Sequence, residues 1–430
     1  MPVSPARSAA FEILLRVESS DAYASELLHS PRSAKLSRAD HALLTELVMG
    51  VLRWRGLLDD RIAERSSQPL AKLDVEVLTA LRLGTYQILF LDRIPRHAAI
   101  NESVELVKSA RKRSAAGMVN AVLRKITRTT ADFDVLSAHP RWLVERWTRI
   151  YGQDVARRIC EYDQATPKPA IRINDEQLLE ELRSERIRLE PGKLLAKTFV
   201  VQAGDVTTTK AFRERRLVIQ DEASQLVALL VRNGEAILDC CSAPGGKTRI
   251  IAERNPESSV LAMELHPHRA ALLRKLVPAS SVQIIAADAR QMPFNKRFDR
   301  ILVDAPCSGT GTLARNPEIK WRLQPEDMSR LQTYQTELLL AAMKQVAFGG
   351  RIIYSTCSLE PEENSEVVES ALAAEPSFRV IDAREELQRL RMTGELQWDD
   401  IDSLLKGPYL RTIPVVHPCD GFFAAILEKR

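Results

Sequence analysis

The sequence predicts a multidomain chain of three unlike parts: an all-α bundle at the N-terminal end, a small α+β unit, and a C-terminal doubly wound α/β domain with a parallel sheet. Three observations predict it. Apolar residues recur at three- and four-residue spacing from Ser4 to about Thr129; a loop, a strand, a helix and another strand follow; and from about Leu217 short β-branched runs alternate with helical stretches. At 430 residues the chain exceeds one ordinary core, and roughly 100 to 200 residues per domain gives two or three. The expected boundaries are 1–130, 131–215 and 216–430.

In the first part, "SPARSAAFEILLRVES" opens with Ser-Pro at a helix start, and "ADHALLTELVMGVLRWRGLLDDRIAE" carries a helical apolar stripe. Charge is uneven along the chain. Lys plus Arg outnumber Asp plus Glu by 20 to 14 over residues 1–130 and by 15 to 14 over 131–215, then fall behind, 26 to 29, in the remainder. The run "RKRSAAGMVNAVLRKITRTT" (111–130) holds six basic residues and no acidic one. It reads equally as a solvated helix face or as a patch that tracks phosphates and gains affinity by releasing counterions.

In the second part, "AHPRWLVERWTRIYG" predicts a helix with Trp142 and Trp147, which at helical spacing are core more often than base-stacking platforms. "AIRIN", the helix "EQLLEELRSE" and "TFVVQ" make the small α+β unit. In the third part, "AILD", "SVLAMEL", "SVQIIAAD", "FDRILVDA" and "GGRIIYST" are strands, separated by helices such as "HRAALLRKLV" and "SRLQTYQTELLLAAMKQVA". Ligands of such a sheet bind at the carboxyl ends of its strands.

Those ends carry Asp239, Glu264, Asp288, Asp304 and Cys357. Any one of the acids serves equally well as a helix cap, but four in register are hard to explain that way. The turn "DCCSAPGGKTR" (239–249) ends like a phosphate-binding loop, yet the first glycine of that pattern would fall on Cys241, and Ala243-Pro244 stiffens the turn. An ATPase is therefore disfavoured. Glu264, 25 residues past Asp239, is placed to accept bonds from ribose hydroxyls, and Asp288 to face an adenine amino group. With no G-x-G-x-x-G present, S-adenosyl-L-methionine fits better than a dinucleotide.

Cys307 and Cys357 each sit at a strand end and are each followed by serine. A thiol of ordinary pKa near ~8.5 needs a neighbour such as Lys247 to favour the thiolate. The other cysteines (160, 240, 241 and 419) form no C-x-x-C pair, so neither a zinc site nor a disulfide framework is expected, and no metal is. His266 and His268 read as surface residues.

"DCCSAPGGKT", "DAPCSGTGTLARNPEIKW" and "YSTCSLEPEENSEVV" closely resemble motifs of the RNA cytosine-5 methyltransferases, and "DGFFAAILEK" (420–429) resembles their last strand pair. "VMGVLRW", "IPRHAAINESVELVK" and "GMVNAVLR" resemble the NusB fold. The resemblance spans nearly the whole chain. It implies a NusB-like helical RNA-binding domain, a small α+β RNA-recognition unit and a Rossmann-like methyltransferase domain. It also implies that Cys357 is the nucleophile, that Cys307 resolves the adduct, that Asp304 holds the cytosine edge, and that Lys247 lies near base and thiolate. Cofactor contacts implied by the match are Cys241, Ser242, Ala243, Pro244, Gly245, Gly246, Lys247, Glu264, Asp288 and Asp304. The ribose position is often aspartate in that family and is the longer Glu264 here.

The activity so implied is 5-methylcytosine formation in 16S ribosomal RNA, by a cytoplasmic monomer. Transfer RNA is the alternative substrate, and a non-catalytic RNA-binding factor the alternative class. No apolar run reaches the ~18 residues of a membrane span, and the start of the chain shows no secretory leader.

Overall fold

The computed structural model describes residues 3–20, 22–128, 133–277, 280–292 and 294–430. Two compact units emerge, one of Met1–Thr166 with Leu313–Arg322, the other of Pro167–Thr312 with Leu323–Arg430. The boundary expected between 130 and 131 lies outside the described residues. Helices Arg141–Tyr151 and Gln153–Gln164 belong to the first unit, whereas the small sheet that follows them belongs to the second.

The first unit is helical. Helix Arg38–Ala63 starts where Ser37 both accepts from Asp40 N (3.1 Å) and donates to Asp40 Oδ2 (2.7 Å), satisfying an end that would otherwise be open. Helix Val75–Phe90 is apolar on nearly every face, the pattern of a helix surrounded by others, and residues 79 to 89 are all buried. Arg82, within that stretch, is neutralised by Asp59 (2.7 Å) and Glu18 (2.9 Å). Trp147 is fully buried against His139 and is core, while Trp142 is half-buried. The basic run lacks acids in sequence but not in space: Lys112 pairs with Asp74 at 3.0 Å, and Arg128 pairs with Asp92.

A strap far along the sequence, Leu313–Arg322, completes this unit. Within residues 313–322, Lys320 donates to Arg53 O (3.0 Å), Trp321 Nε1 to Leu52 O (2.7 Å) and Arg322 to Val17 O (3.0 Å), while Glu318 accepts from Ala24 N (2.8 Å).

In the second unit, β1 (Ala170–Arg172), β2 (Arg188–Pro191) and β3 (Thr198–Ala203) form an antiparallel sheet in the order β1-β3-β2. The large sheet comprises β4 (Ala236–Asp239), β5 (Ser259–Glu264), β6 (Val282–Ala286), β7 (Phe298–Asp304), β8 (Val346–Thr356), β9 (Phe378–Ile381), β10 (Leu405–Lys406), β11 (Tyr409–Thr412) and β12 (Phe422–Lys429). Its order is β10-β11-β12-β8-β7-β4-β5-β6, with β9 also on β12. Strands β4 to β8 are parallel, and β12 runs antiparallel to β8. Residues 420–429, expected as a strand pair, contain the single strand β12, whose neighbours come from elsewhere because no turn interrupts its apolar run.

The small sheet is tied to the large one through Glu395, which is buried and receives Arg172 (3.0 Å), Lys197 (3.3 Å) and Arg254 (2.8 Å). Burial would raise its pKa, but the three cations outweigh that and hold it low.

Candidate active site

Strand order reverses at β4, whose neighbours are β5 on one side and β7 on the other, so a crevice opens at the carboxyl ends of β4 and β7. Asp239 and Asp304 end those two strands. The chain leaves Asp239 through a turn that feeds helix Gly246–Arg254. Gly245 turns at φ +116°, and a Cβ there would meet Leu273 at 2.6 Å and Val277 at 2.7 Å, so both backbone and packing demand glycine. Ser242 fastens the turn by donating to Asp239 O at 2.8 Å.

A cavity of about 600 Å³ lies against this turn, within the usual ~300–1,000 Å³ of a small-molecule site. Asp239, every residue from Cys241 to Lys247, and Asp304 line it; Glu264, Asp288, Cys307 and Cys357 are outside its lining.

Asp239 is 1% exposed; its Oδ2 accepts from Thr248 Oγ1 at 2.7 Å, while Oδ1 is buried with no partner. Burial lifts its pKa to about 6, with Thr248 opposing. Asp304 accepts from Lys247 Nζ (2.7 Å) and from Ser355 Oγ (2.8 Å). Burial alone would lower the Lys247 pKa, but Asp304 and, more weakly, Cys357 reverse that and keep the ammonium charged. The same ammonium lies 5.1 Å from the Phe422 ring centre, a cation–π contact.

Cys307 and Cys357, fifty positions apart in sequence, bring their Sγ atoms to 3.4 Å. The hydrogen bond to Cys357, then burial, raises the Cys307 pKa, so Cys307 keeps its proton beside its neighbour. Gly311 N donates to Cys357 O at 2.9 Å, and a Cβ on Gly311 would strike Gly421 O at 2.1 Å, which makes this close approach of backbones possible only for glycine. Cys240 and Cys241 have pKa values raised chiefly by burial, the signature of inert thiols.

The remaining acids sit where the strands place them. Glu264 ends β5, is buried, and accepts from His266 N at 3.1 Å. Asp288 lies two residues past β6, and its carboxylate is held by Arg290, which lowers its pKa. Sequence reasoning missed Thr248, Ser355 and Phe422 as partners of this site. All three stand inside the quoted motifs "DCCSAPGGKT", "YSTCSLEPEENSEVV" and "DGFFAAILEK", which marked their segments but not their partners.

The 16S rRNA methyltransferase RsmB/F family matches residues 226–428, the NusB family residues 4–128, and the ferredoxin-like domain of RsmF/B-like methyltransferases residues 139–207. "Probable ribosomal RNA small subunit methyltransferase B" of Bacillus subtilis (strain 168) is 34% identical over 100% of both chains. Ribosomal RNA small subunit methyltransferase B of Pseudomonas syringae pv. tomato is 35% identical over 81% of this chain and 82% of its own. The crystal structure of PH0851 superposes with a TM-score of 0.80 over 100% of both chains at 24% identity, a likeness of fold. With identity running from end to end and a nucleoside-type crevice at the switch point, the chain is a methyltransferase and belongs to the RsmB family of ribosomal RNA small-subunit methyltransferases.

Proposed function

We propose that this chain transfers a methyl group from S-adenosylmethionine to C5 of a cytosine in 16S ribosomal RNA, through a covalent bond between Cys357 and C6. The observation that carries the reading is the 3.4 Å approach of Cys307 and Cys357 beside the Lys247–Asp304 pair. The names of its relatives supply the substrate class, ribosomal RNA of the small subunit, and with it a cytoplasmic setting.

The chain offers a match for three polar parts of S-adenosylmethionine. The unpartnered Oδ1 of Asp239 suits the ammonium, Glu264 the ribose hydroxyls and Asp288 the adenine amino group. The backbone from Cys241 to Gly246 lets the ligand approach closely, with Lys247 and Asp304 closing the inner end. When bound, S-adenosylmethionine supplies an electrophilic methyl carbon.

The Lys247 ammonium, kept charged, interacts electrostatically with Cys357. The thiolate adds to C6: the Sγ–C6 bond forms and the C5=C6 electron pair moves onto C5, which then bonds the methyl carbon as the methyl–sulfonium bond breaks and its electron pair stays on the sulfur of the departing thioether. Asp304 accepts from the exocyclic amino group of the base, and the Lys247 ammonium paired with it stabilises the negative charge that develops toward N3. The C5 proton passes to solvent water, its C–H electron pair re-forms C5=C6 as Sγ departs with the Sγ–C6 pair, and Cys307 assists that release. The target base reaches this site single-stranded or flipped from its stack. The first 130 residues, with their basic excess, and the small α+β unit hold the surrounding RNA, and residues 216–430 carry the chemistry.

The test is a denaturing gel of Cys307→Ala and Cys307→Ala/Cys357→Ala proteins after incubation with labelled 16S RNA and S-adenosylmethionine. A slow-migrating adduct is expected in the single variant and none in the double. Adduct in both, or wild-type transfer by Cys357→Ala, overturns the assignment.

A further inference from the structure

Each catalytic-loop cysteine is followed by a serine, and the structure gives those serines a common partner. Glu363, wholly buried in the turn Pro361–Glu363, accepts four hydrogen bonds. Its Oε1 takes Ser308 N (2.8 Å) and Gln335 Nε2 (2.8 Å); its Oε2 takes the hydroxyls of both Ser308 and Ser358. Gln335, on helix Asp327–Gln345, also donates to Pro306 O at 2.9 Å, so the chain on the other side of Cys307 is fastened to the same cluster. Glu363 is itself fixed, because Tyr354 Oη donates to its carbonyl at 2.6 Å.

None of the four donors is a cation. A buried carboxylate without a counter-ion is costly, and its pKa is raised by burial against the pull of the two serines. Filling the same space with an apolar side chain would be cheaper for stability alone. What only an acceptor of two oxygens achieves here is to grip the loop after Cys307 and the loop after Cys357 at once, with both hydroxyls on one atom.

We propose that Glu363 is a positioning residue that holds the two cysteine loops in register, setting the Sγ–Sγ approach on which addition to C6 and release from it depend. This rests on the two-cysteine chemistry proposed above. Glu363 touches neither substrate nor cofactor; it acts through Ser308 and Ser358.

The experiment uses full-length Glu363→Gln, Glu363→Asp, Ser308→Ala and Ser358→Ala proteins, with Cys357→Ala as control. It measures thermal melting, S-adenosylmethionine affinity by calorimetry, kcat and KM on 16S RNA, and trapped adduct. Glu363→Gln keeps the length but loses the double acceptor, and Glu363→Asp keeps the charge but is one methylene short. Both are expected to lower kcat about 10- to 100-fold, as displacement of reacting groups by an ångström does. Donor affinity should stay within about twofold, which loss of structure alone would not spare, and RNA KM should not rise. Adduct should accumulate, as in Cys307→Ala, because the resolving thiol is out of register. Adding Ser308→Ala to Glu363→Gln should cost nothing further.

Wild-type kcat in Glu363→Gln while Cys357→Ala is dead overturns the positioning role and leaves the two-cysteine reading standing. Full activity of Cys357→Ala overturns both. Where Glu363→Gln does not fold, the two serine variants decide: lowered kcat at unchanged donor affinity supports the proposal, and wild-type kcat in both overturns it.

Discussion

Two buried carboxylates serve the same crevice and are treated in opposite ways. Asp239, at the end of β4, keeps one oxygen bonded to Thr248 and the other without a partner. Glu363, behind the cysteine loops, has both oxygens filled twice over. A polar atom left bare in a protein interior costs about 1–3 kcal/mol, so it persists where a ligand will cover it. A saturated one stores nothing for a ligand and instead fixes its surroundings. The glycine-turn side of the crevice is thus built to receive, and the cysteine side to hold still.

Lys247 joins the two sides, and removing it should have the largest effect. Lys247→Met leaves Asp304 without its counter-ion and Cys357 without a nearby positive charge. Methyl transfer, measured as kcat/KM, should fall about 10²- to 10³-fold, the cost of deleting one preorganised charge from a site of this kind. Alkylation of Cys357 by iodoacetamide should slow as well. A variant that changed donor affinity alone would place Lys247 on the receiving side only and break the comparison.

Asp239→Asn tests the receiving side by itself. An ammonium facing an amide in place of a carboxylate loses a charged hydrogen bond of about 1.5–3 kcal/mol. S-adenosylmethionine affinity, measured by calorimetry, should weaken roughly 10- to 100-fold. Adduct resolution and the alkylation rate of Cys357 should not change. If they do, the two sides are mechanically one.

Much of this was legible in the sequence, and the gaps have a physical pattern. The strand-end acids and both cysteines could be placed because a parallel sheet carries the C-terminal residue of each strand to one rim. The exposed "RLEP" of β2 was missed because it has no apolar alternation. Glu363 was invisible as a partner of Ser308, since nothing in a linear sequence pairs residues 55 apart. The motif "DAPCSGTGTLARNPEIKW" reads as one piece at a strand end, yet from Leu313 onward it packs into the helical unit. Its Lys320 and Trp321 are anchors of that unit, donating to Arg53 O and Leu52 O, a placement decided by tertiary burial alone.

That anchor yields the smallest effect predicted here, one that separates stability from catalysis. Lys320 is 1% exposed, and burial lowers its pKa to about 7, with Asp163 and Cys160 pulling the other way and Arg53 adding to the fall. His139, also buried in this cluster, has its own pKa lowered and stays neutral across the range. Between pH 7 and the ordinary lysine value of 10.5 the unfolded chain carries the proton and the folded one does not. Stability therefore rises with pH through that window and is at its lowest contribution below pH 7. From pH 7 to 9 the gain is about 1–2 kcal/mol, taking up to ~1.4 kcal/mol per unit and discounting for relaxation. Lys320→Met has no proton to lose. Its melting temperature relative to wild type should be more favourable at pH 6.5 than at pH 9, with the glycine turn's affinity for S-adenosylmethionine the same in both proteins. A melting difference that stays constant across this range would mean the ammonium remains charged inside the helical unit, held there by Asp163.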